Sequence, residues 1–151
     1  MNLLEVKDLN ISFKIHEGKL NVIRGVSFFL EAGKTLAIVG ESGSGKTVTV
    51  RAIMGILASN EVVESGEILF RNNNGKNKEI IDLLTLSKKQ IVSQICGKKI
   101  AMVFQDPMST LNPTIQIGKQ VMEGMLKHQK LTKKEAFEKA LKLLEEVGIT
   151  E

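Results

Sequence analysis

Residues 40–47 read Gly-Glu-Ser-Gly-Ser-Gly-Lys-Thr, a glycine-rich stretch that is the most informative part of the sequence. It follows an almost wholly apolar segment, Thr35-Leu36-Ala37-Ile38-Val39. Such a segment is typical of a strand buried on both faces of a parallel sheet. The residues after the loop place apolar side chains at helical spacing, which predicts a helix over 48–57. A buried strand, a glycine-rich loop and a helix in this order predict an α/β fold.

The loop has the residue types that a polyphosphate site requires. Gly43 and Gly45 let the backbone approach phosphate oxygens in conformations closed to other residues. The amides then converge as an anion-binding nest at the start of a helix. The pattern predicts that Lys46 reaches the β- and γ-phosphates and that the Thr47 hydroxyl binds Mg²⁺. The predicted nucleotide-binding residues of this segment are Gly40, Glu41, Ser42, Gly43, Ser44, Gly45, Lys46, Thr47 and Val48.

The rest of the chain alternates short strands and helices. Partial alternation of apolar residues over 4–13, a turn and a second strand over 20–30 predict an antiparallel pair of strands. A further strand is predicted over 67–70, and the apolar run over 100–104 predicts a second buried strand. The polar run 72–78 predicts a surface loop. Helices are predicted over 87–95 and 115–127. A last helix starts at a capping box formed by Thr132 and Glu135 and stops at Gly148.

The composition is that of a globular protein with a core of aliphatic residues. Hydrophobic residues make up 42% of the 151 residues and charged residues 25%, and there is no Trp or Tyr. A net charge of +4 is too small to indicate nucleic-acid binding. Cys96 is the only cysteine, which fits a reducing compartment. Without a long apolar run or a signal peptide, the sequence predicts a cytoplasmic protein.

The loop and a second stretch resemble the ATP-binding-cassette (ABC) ATPases. Gln105, after an apolar strand, is similar to the Q-loop glutamine of that family. The stretch Phe104-Gln105-Asp106-Pro107-Met108-Ser109-Thr110-Leu111-Asn112-Pro113 is similar to the ATP-binding subunits of oligopeptide, dipeptide and nickel importers. The segments over 3–9 and 22–28 also resemble the opening of those subunits. The resemblance covers nearly the whole chain.

The resemblance implies further site residues. It implies that Gln105 contacts Mg²⁺ and positions the attacking water, and that Phe13 stacks on the adenine ring. Phe13 also continues the apolar alternation of Leu9 and Ile11, so a buried strand residue is an equal interpretation. Val48 stands where many family members have a hydroxyl, which leaves only its backbone N–H to contact phosphate.

The resemblance also implies a domain layout and an incomplete catalytic set. We expect a single partial ABC ATP-binding domain with an antiparallel β region over 1–34, a Walker A to Q-loop core over 35–105 and the beginning of a helical subdomain over 106–151. The family's Leu-Ser-Gly-Gly-Gln signature, Asp-Glu strand end and switch histidine are absent from this sequence. We therefore expect the N-terminal portion of a subunit that binds MgATP weakly and hydrolyses it negligibly.

The expected partners follow from the same resemblance. They are the transporter's membrane subunits, a second ATP-binding subunit and, indirectly, a peptide-binding protein, on the inner face of the cell membrane. No nucleic-acid partner is expected. Two alternatives remain open at this point: a stand-alone nucleotide-binding module that does not hydrolyse ATP, and an inactive gene remnant.

Overall fold

The computed structural model describes residues 1–74, 77–106 and 110–149. They form two compact units, Met1–Gln94 and Ile95–Glu151. Gly75 and Lys76 of the predicted polar loop lie outside the described residues. So do Pro107, Met108 and Ser109 of the importer-like stretch.

The first unit is built on a four-stranded antiparallel sheet with the strand order β2-β1-β3-β4. The predicted hairpin is confirmed, with a turn at His16 and Glu17. The third strand is longer than predicted, and residues 72–74 and 77–78 are paired strand rather than loop, because cross-strand hydrogen bonding outweighs their polar composition. The strands are β1 (Asn2–Ile15), β2 (Gly18–Glu31), β3 (Glu61–Asn74) and β4 (Asn77–Asp82).

A bulge at Asp8 bends the central strand β1. Lys7 pairs with Glu67 and Asn10 with Ser65, so two residues of β1 stand opposite Gly66 alone. Asp8 has a positive φ of 42°, which is unusual for a non-glycine residue. A bulge of this kind bends its strand and increases the local twist.

Short helical segments accompany the sheet in the first unit. These are α1 (Lys46–Ile53), a 3₁₀ turn (Leu83–Thr85) and α2 (Lys88–Gln90), which continues as a π turn (Ile91–Ile95). The 3₁₀ turn contacts both β3 and α1. An ion pair joins α1 to β3, with 3.1 Å between a guanidinium nitrogen of Arg51 and the nearly buried carboxylate of Glu61. The core consists of aliphatic residues and one Phe, namely Val6, Leu9, Ile11, Ile23, Val48, Ala52, Ile53, Met54, Ile68, Phe70, Leu83 and Ile91.

The second unit contains a helical hairpin of α3 (Ile117–His128) and α4 (Lys133–Glu146). Met125, Ala136 and Ala140 are buried between the two helices. Leu143 of α4 and Val147, which directly follows α4, are exposed. Within the described ranges, no helix is both long enough and apolar enough to cross a bilayer.

The two strands predicted from apolar runs over 35–39 and 100–104 do not form. Residues 34–40 and 101–104 have no regular secondary structure, and Ile100 makes only an isolated bridge to Cys96. Val39 is 90% exposed and Val103 is 94% exposed. The physical reason is that a strand is stable only when a neighbour accepts and donates its backbone hydrogen bonds. In the part of the chain that the structure describes, neither run has such a neighbour apart from the single bridge at Ile100.

The capping box of α4 gives a first testable prediction. The Thr132 hydroxyl accepts from the backbone N–H of Glu135, and the Glu135 carboxylate accepts from the backbone N–H of Thr132 at 2.7 Å. We expect Thr132→Ala to destabilise the second unit by roughly 0.5–2 kcal/mol. Urea denaturation followed by circular dichroism measures this difference, and Thr114→Ala, outside the helices, is the control. Equal stability of Thr132→Ala and the unsubstituted chain would show that the cap is unimportant.

The same box gives α4 a pH dependence. Hydrogen bonds from the backbone N–H and then the hydroxyl of Thr132 hold the pKa of Glu135 below its ordinary value of 4.5. A carboxyl whose pKa is lowered in the folded state stabilises that state above its unfolded pKa. The stabilisation is therefore complete above about 4.5 and is lost as the pH falls through the lower folded pKa.

Candidate nucleotide-binding site

The loop over 40–47 connects the extended segment 34–40 to the first turn of α1. Gly43 and Gly45 have φ angles of 81° and 91°, in the left-handed region that favours glycine. The Ser44 amide donates to the Glu41 carbonyl at 3.2 Å and so closes a tight turn. These torsions, which the sequence predicted from the glycine positions, bring the chain round sharply into the helix.

The start of α1 has no side chain that satisfies its amides. Its N-cap residue is Gly45, no side-chain hydrogen bond caps the first turn, and no acidic residue lies in that turn. The amide of Thr49 makes the first helical bond, to the Gly45 carbonyl at 2.9 Å. The N–H groups at the start of a helix have no intrahelical acceptor and carry a partial positive charge. A small anion is the ligand that such a terminus fits.

The Lys46 ammonium lies inside the loop. Its Nζ atom donates to the carbonyl oxygens of Gly40 at 2.7 Å and Glu41 at 2.6 Å, and to the Ser44 hydroxyl at 3.3 Å. The side chain therefore turns back over the concave side of the turn. The positive charge is therefore held against the loop backbone at Gly40 and Glu41.

The floor of the loop is a residue that the sequence patterns did not indicate. The Ile23 Cδ1 atom lies 2.3 Å from the position that a β-carbon on Gly45 would occupy. Ile23 is almost fully buried in β2. The buried Thr49 hydroxyl also donates to the Gly45 carbonyl at 3.1 Å. A helical threonine hydroxyl commonly donates to the carbonyl four residues before it, so the Thr49 contact could be expected from the sequence. No local signal of this kind identifies Ile23.

The other predicted residues of the loop differ in exposure. Glu41, Ser42 and Thr47 are exposed, so their side chains face solvent. Val48 has its side chain in the core of the first unit. Only the backbone of Val48 is therefore available to a ligand.

Two predicted site residues lie outside the loop. Phe13 is half-buried in β1, paired with Leu20 on one side and Glu61 on the other. Gln105 is exposed and belongs to the second unit. The proposed contacts of Phe13 with adenine and of Gln105 with Mg²⁺ and water stay predictions.

The sequence matches known proteins along nearly its whole length. It is 52% identical over 148 residues to the oligopeptide transport ATP-binding protein OppD of Bacillus subtilis, covering 97% of this chain and 39% of that protein. It is 47% identical over 148 residues to the dipeptide transport ATP-binding protein DppD of Lactococcus lactis, covering 97% and 40%. The chain thus spans about two fifths of the length of these relatives.

A solved structure has a similar fold. It is the dimeric post-hydrolysis state of the ATP-binding cassette MJ0796 bound to ADP and Pi, with a TM-score of 0.73 and 22% identity over 94% of this chain and 56% of that one. A family model described as ABC transporter matches residues 23–151. This range includes the glycine-rich loop, Gln105 and the helical hairpin, and the chain therefore belongs to the ABC transporter family.

Proposed function

We propose that this chain binds the polyphosphate of ATP with Mg²⁺ through residues 40–47. One observation carries the proposal: an uncapped helix terminus, two left-handed glycines and the Lys46 ammonium converge on one turn. The amides and the ammonium together offer a concentrated positive field, which suits a polyphosphate better than a single carboxylate. To receive phosphate, Lys46 exchanges some of its hydrogen bonds with loop carbonyls for bonds to phosphate oxygens.

The residues present fit a divalent cation bound together with the phosphates. The Thr47 hydroxyl is exposed in the first turn of α1 and would hold a Mg²⁺ that arrives with the phosphates. Gln105 is the second proposed ligand and the residue that orients water. When bound, Mg²⁺ would neutralise part of the phosphate charge.

The wider role is that of a part of the ATP-binding subunit of a peptide importer. Two relatives at 52% and 47% identity are named for oligopeptide and dipeptide transport, which supports a peptide as the cargo. The dimeric form of the similar cassette supports a second ATP-binding subunit as a partner. We further propose that membrane subunits bind the assembled protein at the cytoplasmic face of the membrane, with a peptide-binding protein as an indirect partner.

A ligand series tests the phosphate site. We expect MgATP and inorganic triphosphate to raise the melting temperature, MgADP to raise it less and AMP to leave it unchanged, because affinity depends on the number of phosphates. At about 100 times its dissociation constant, a ligand adds roughly 2.7 kcal/mol to the free energy of unfolding. Calorimetry or circular dichroism is suitable, since the chain has no Trp or Tyr.

Removal of Mg²⁺ is the control for this series, and the result with AMP can refute the phosphate site. Chelating Mg²⁺ should reduce the shift produced by ATP without changing the melting temperature of the free chain. If AMP stabilised the chain as much as MgATP does, the base or sugar would dominate binding and the phosphate site would be refuted.

A further inference from the structure

A small cavity lies within the first unit, at the end of α1 that is farther from the glycine-rich loop. We call it the α1 cavity; its volume is about 320 Å³, near the lower limit of roughly 300–1,000 Å³ for small-molecule sites. None of residues 40–47, all of which the structure describes, lines it. Most of its wall is aliphatic, namely Leu57, Val63, Leu83, Leu84, Leu86 and Ile91. The cavity therefore suits a small ligand with an aliphatic part.

One carboxylate, that of Glu61, lines this cavity although its side chain is only 3% exposed. Its Oε2 atom accepts from the Ala58 N–H at 2.7 Å and lies 3.1 Å from a guanidinium nitrogen of Arg51. The Glu61 N–H in turn donates to the Ala58 carbonyl at 3.0 Å, so a single turn holds both the backbone and the side chain of Glu61. The carboxylate is thus fixed in place, and Arg51 balances its charge.

The second carboxylate oxygen of Glu61 can accept a hydrogen bond from a ligand. Among the described residues, no group donates a hydrogen bond to Oε1. No fully buried side-chain oxygen in these ranges lacks a hydrogen-bond partner, so Oε1 must be accessible from outside the protein. A carboxylate offers about four acceptor sites, and a hydrogen bond is stronger in apolar surroundings than in water. The cavity therefore favours a ligand that brings its own N–H or O–H group.

A cation at the same cavity defines the other end of the ligand. Lys88, in α2, is exposed and lines the cavity with its flexible side chain. Glu61 is already paired with Arg51, so among the described residues that line the cavity the Lys88 ammonium is the charge left without a counterion. A ligand carboxylate can pair with this ammonium, whereas an added cation would be repelled by both Arg51 and Lys88.

Together, the aliphatic wall, the Glu61 oxygen and the Lys88 ammonium match an N-acylated amino acid with an aliphatic side chain. Its amide N–H is a neutral donor for Glu61, and its carboxylate, attached to the same carbon atom, can pair with Lys88. Its side chain can lie against the aliphatic wall, which removes apolar surface from water. A free amino acid is a poorer match, since its ammonium would add a positive charge beside Arg51 and Lys88.

We propose that the α1 cavity binds a small N-acylated amino acid with an aliphatic side chain. The Glu61 carboxylate accepts a hydrogen bond from the amide N–H of the ligand, and the Lys88 ammonium pairs with the ligand carboxylate. This site is separate from residues 40–47 and does not depend on nucleotide binding.

A ligand series followed by NMR on the isotope-labelled full chain tests the site. We expect N-acetylleucine to shift the amide resonances of residues around the cavity, such as Ala58 and Ile91, in a saturable way. Its ester analogue, in which oxygen replaces the N–H group, should bind roughly tenfold more weakly, as for the loss of one hydrogen bond to a charged group. N-acetylglycine, which lacks the aliphatic side chain, should also bind at least about tenfold more weakly.

Lys88→Gln tests the carboxylate end of the ligand, with Lys89→Gln as the matched control. Lys89 is exposed and does not line the cavity, so the two substitutions remove the same charge from adjacent positions. We expect Lys88→Gln to weaken the binding of N-acetylleucine by about twofold to fivefold, as for an exposed ion pair. It should not change the binding of N-acetylleucine amide, which has no carboxylate. Lys89→Gln should change the binding of neither ligand.

Several results would contradict this assignment. Absence of saturable shifts with N-acetylleucine would overturn the proposal, and so would an ester analogue that binds as tightly as the amide. Equal effects of Lys88→Gln and Lys89→Gln would refute the ion pair with the ligand carboxylate. The comparison of amide and ester uses the unsubstituted chain, so it decides the role of Glu61 without disturbing the ion pair between Glu61 and Arg51.

Discussion

Replacing Lys46 with alanine is expected to remove most of the stabilisation that MgATP gives to the chain. The ammonium is the one positively charged side chain that the structure places inside the loop, within hydrogen-bond distance of the Gly40 and Glu41 carbonyls. Without it, the amides of the α1 terminus face the polyphosphate alone. At about 100 times its dissociation constant, MgATP should add roughly 2.7 kcal/mol to the free energy of unfolding of the unsubstituted chain. At the same concentration it should add only about 0.3 kcal/mol to that of Lys46→Ala. Melting curves with and without MgATP measure the change.

Lys34→Ala is the matched control for this substitution. Lys34 is exposed and precedes the loop, so its loss changes the net charge equally and leaves the turn intact. The full melting shift should remain in Lys34→Ala. If the Lys46→Ala chain kept the MgATP shift, residues 40–47 would not be the phosphate site.

Replacing Gly66 with alanine is expected to destabilise the first unit by about 3–5 kcal/mol. Gly66 has a φ of 113°, where an alanine is strained. A β-carbon there would lie 2.7 Å from the Leu9 Cα atom and 2.8 Å and 2.9 Å from the carbonyl oxygens of Lys7 and Asp8. These are backbone atoms of the neighbouring strand, so the clash is relieved only by moving the bulge, which adds the cost of overpacking.

Gly25→Ala provides the comparison for Gly66→Ala. Gly25 also has a positive φ, 63°, but a β-carbon there would have nothing within 4 Å. Gly25→Ala should lower the free energy of unfolding by about 1–2 kcal/mol, which is the penalty for an alanine in the left-handed backbone conformation alone. Urea denaturation followed by far-ultraviolet circular dichroism gives both values. Equal destabilisation by the two substitutions would show that the close packing of Gly66 against β1 adds nothing to the cost of an alanine there.

The loop itself could be predicted from sequence because its determinants are local. The left-handed torsions of Gly43 and Gly45, the helix that starts at Lys46 and the return of the Lys46 side chain involve residues at most six positions apart. The capping box of α4 is local in the same sense. Interactions over such short separations depend little on the rest of the fold.

The surroundings of the loop could not be predicted in this way. Ile23 packs under Gly45 from 22 positions away, and the Lys19 ammonium, which donates to Glu64, shows the same long range across the sheet. Their meeting depends on the register of three strands, which the bulge at Asp8 shifts. A single inserted residue changes which side chains share a face, and no spacing rule in the sequence marked the bulge.

Local signals in the sequence were enough to identify the glycine-rich turn, the β1–β2 hairpin and the capped last helix, and the resemblance indicated the family. Residues 35–39 and 101–104 form no strand, and β2 lies under the loop at Gly45; neither result was indicated by the sequence. The difference follows from how far apart in the sequence the interacting residues lie. Turn torsions and helix caps are satisfied by near neighbours, whereas a strand exists only where a distant segment completes its hydrogen bonds.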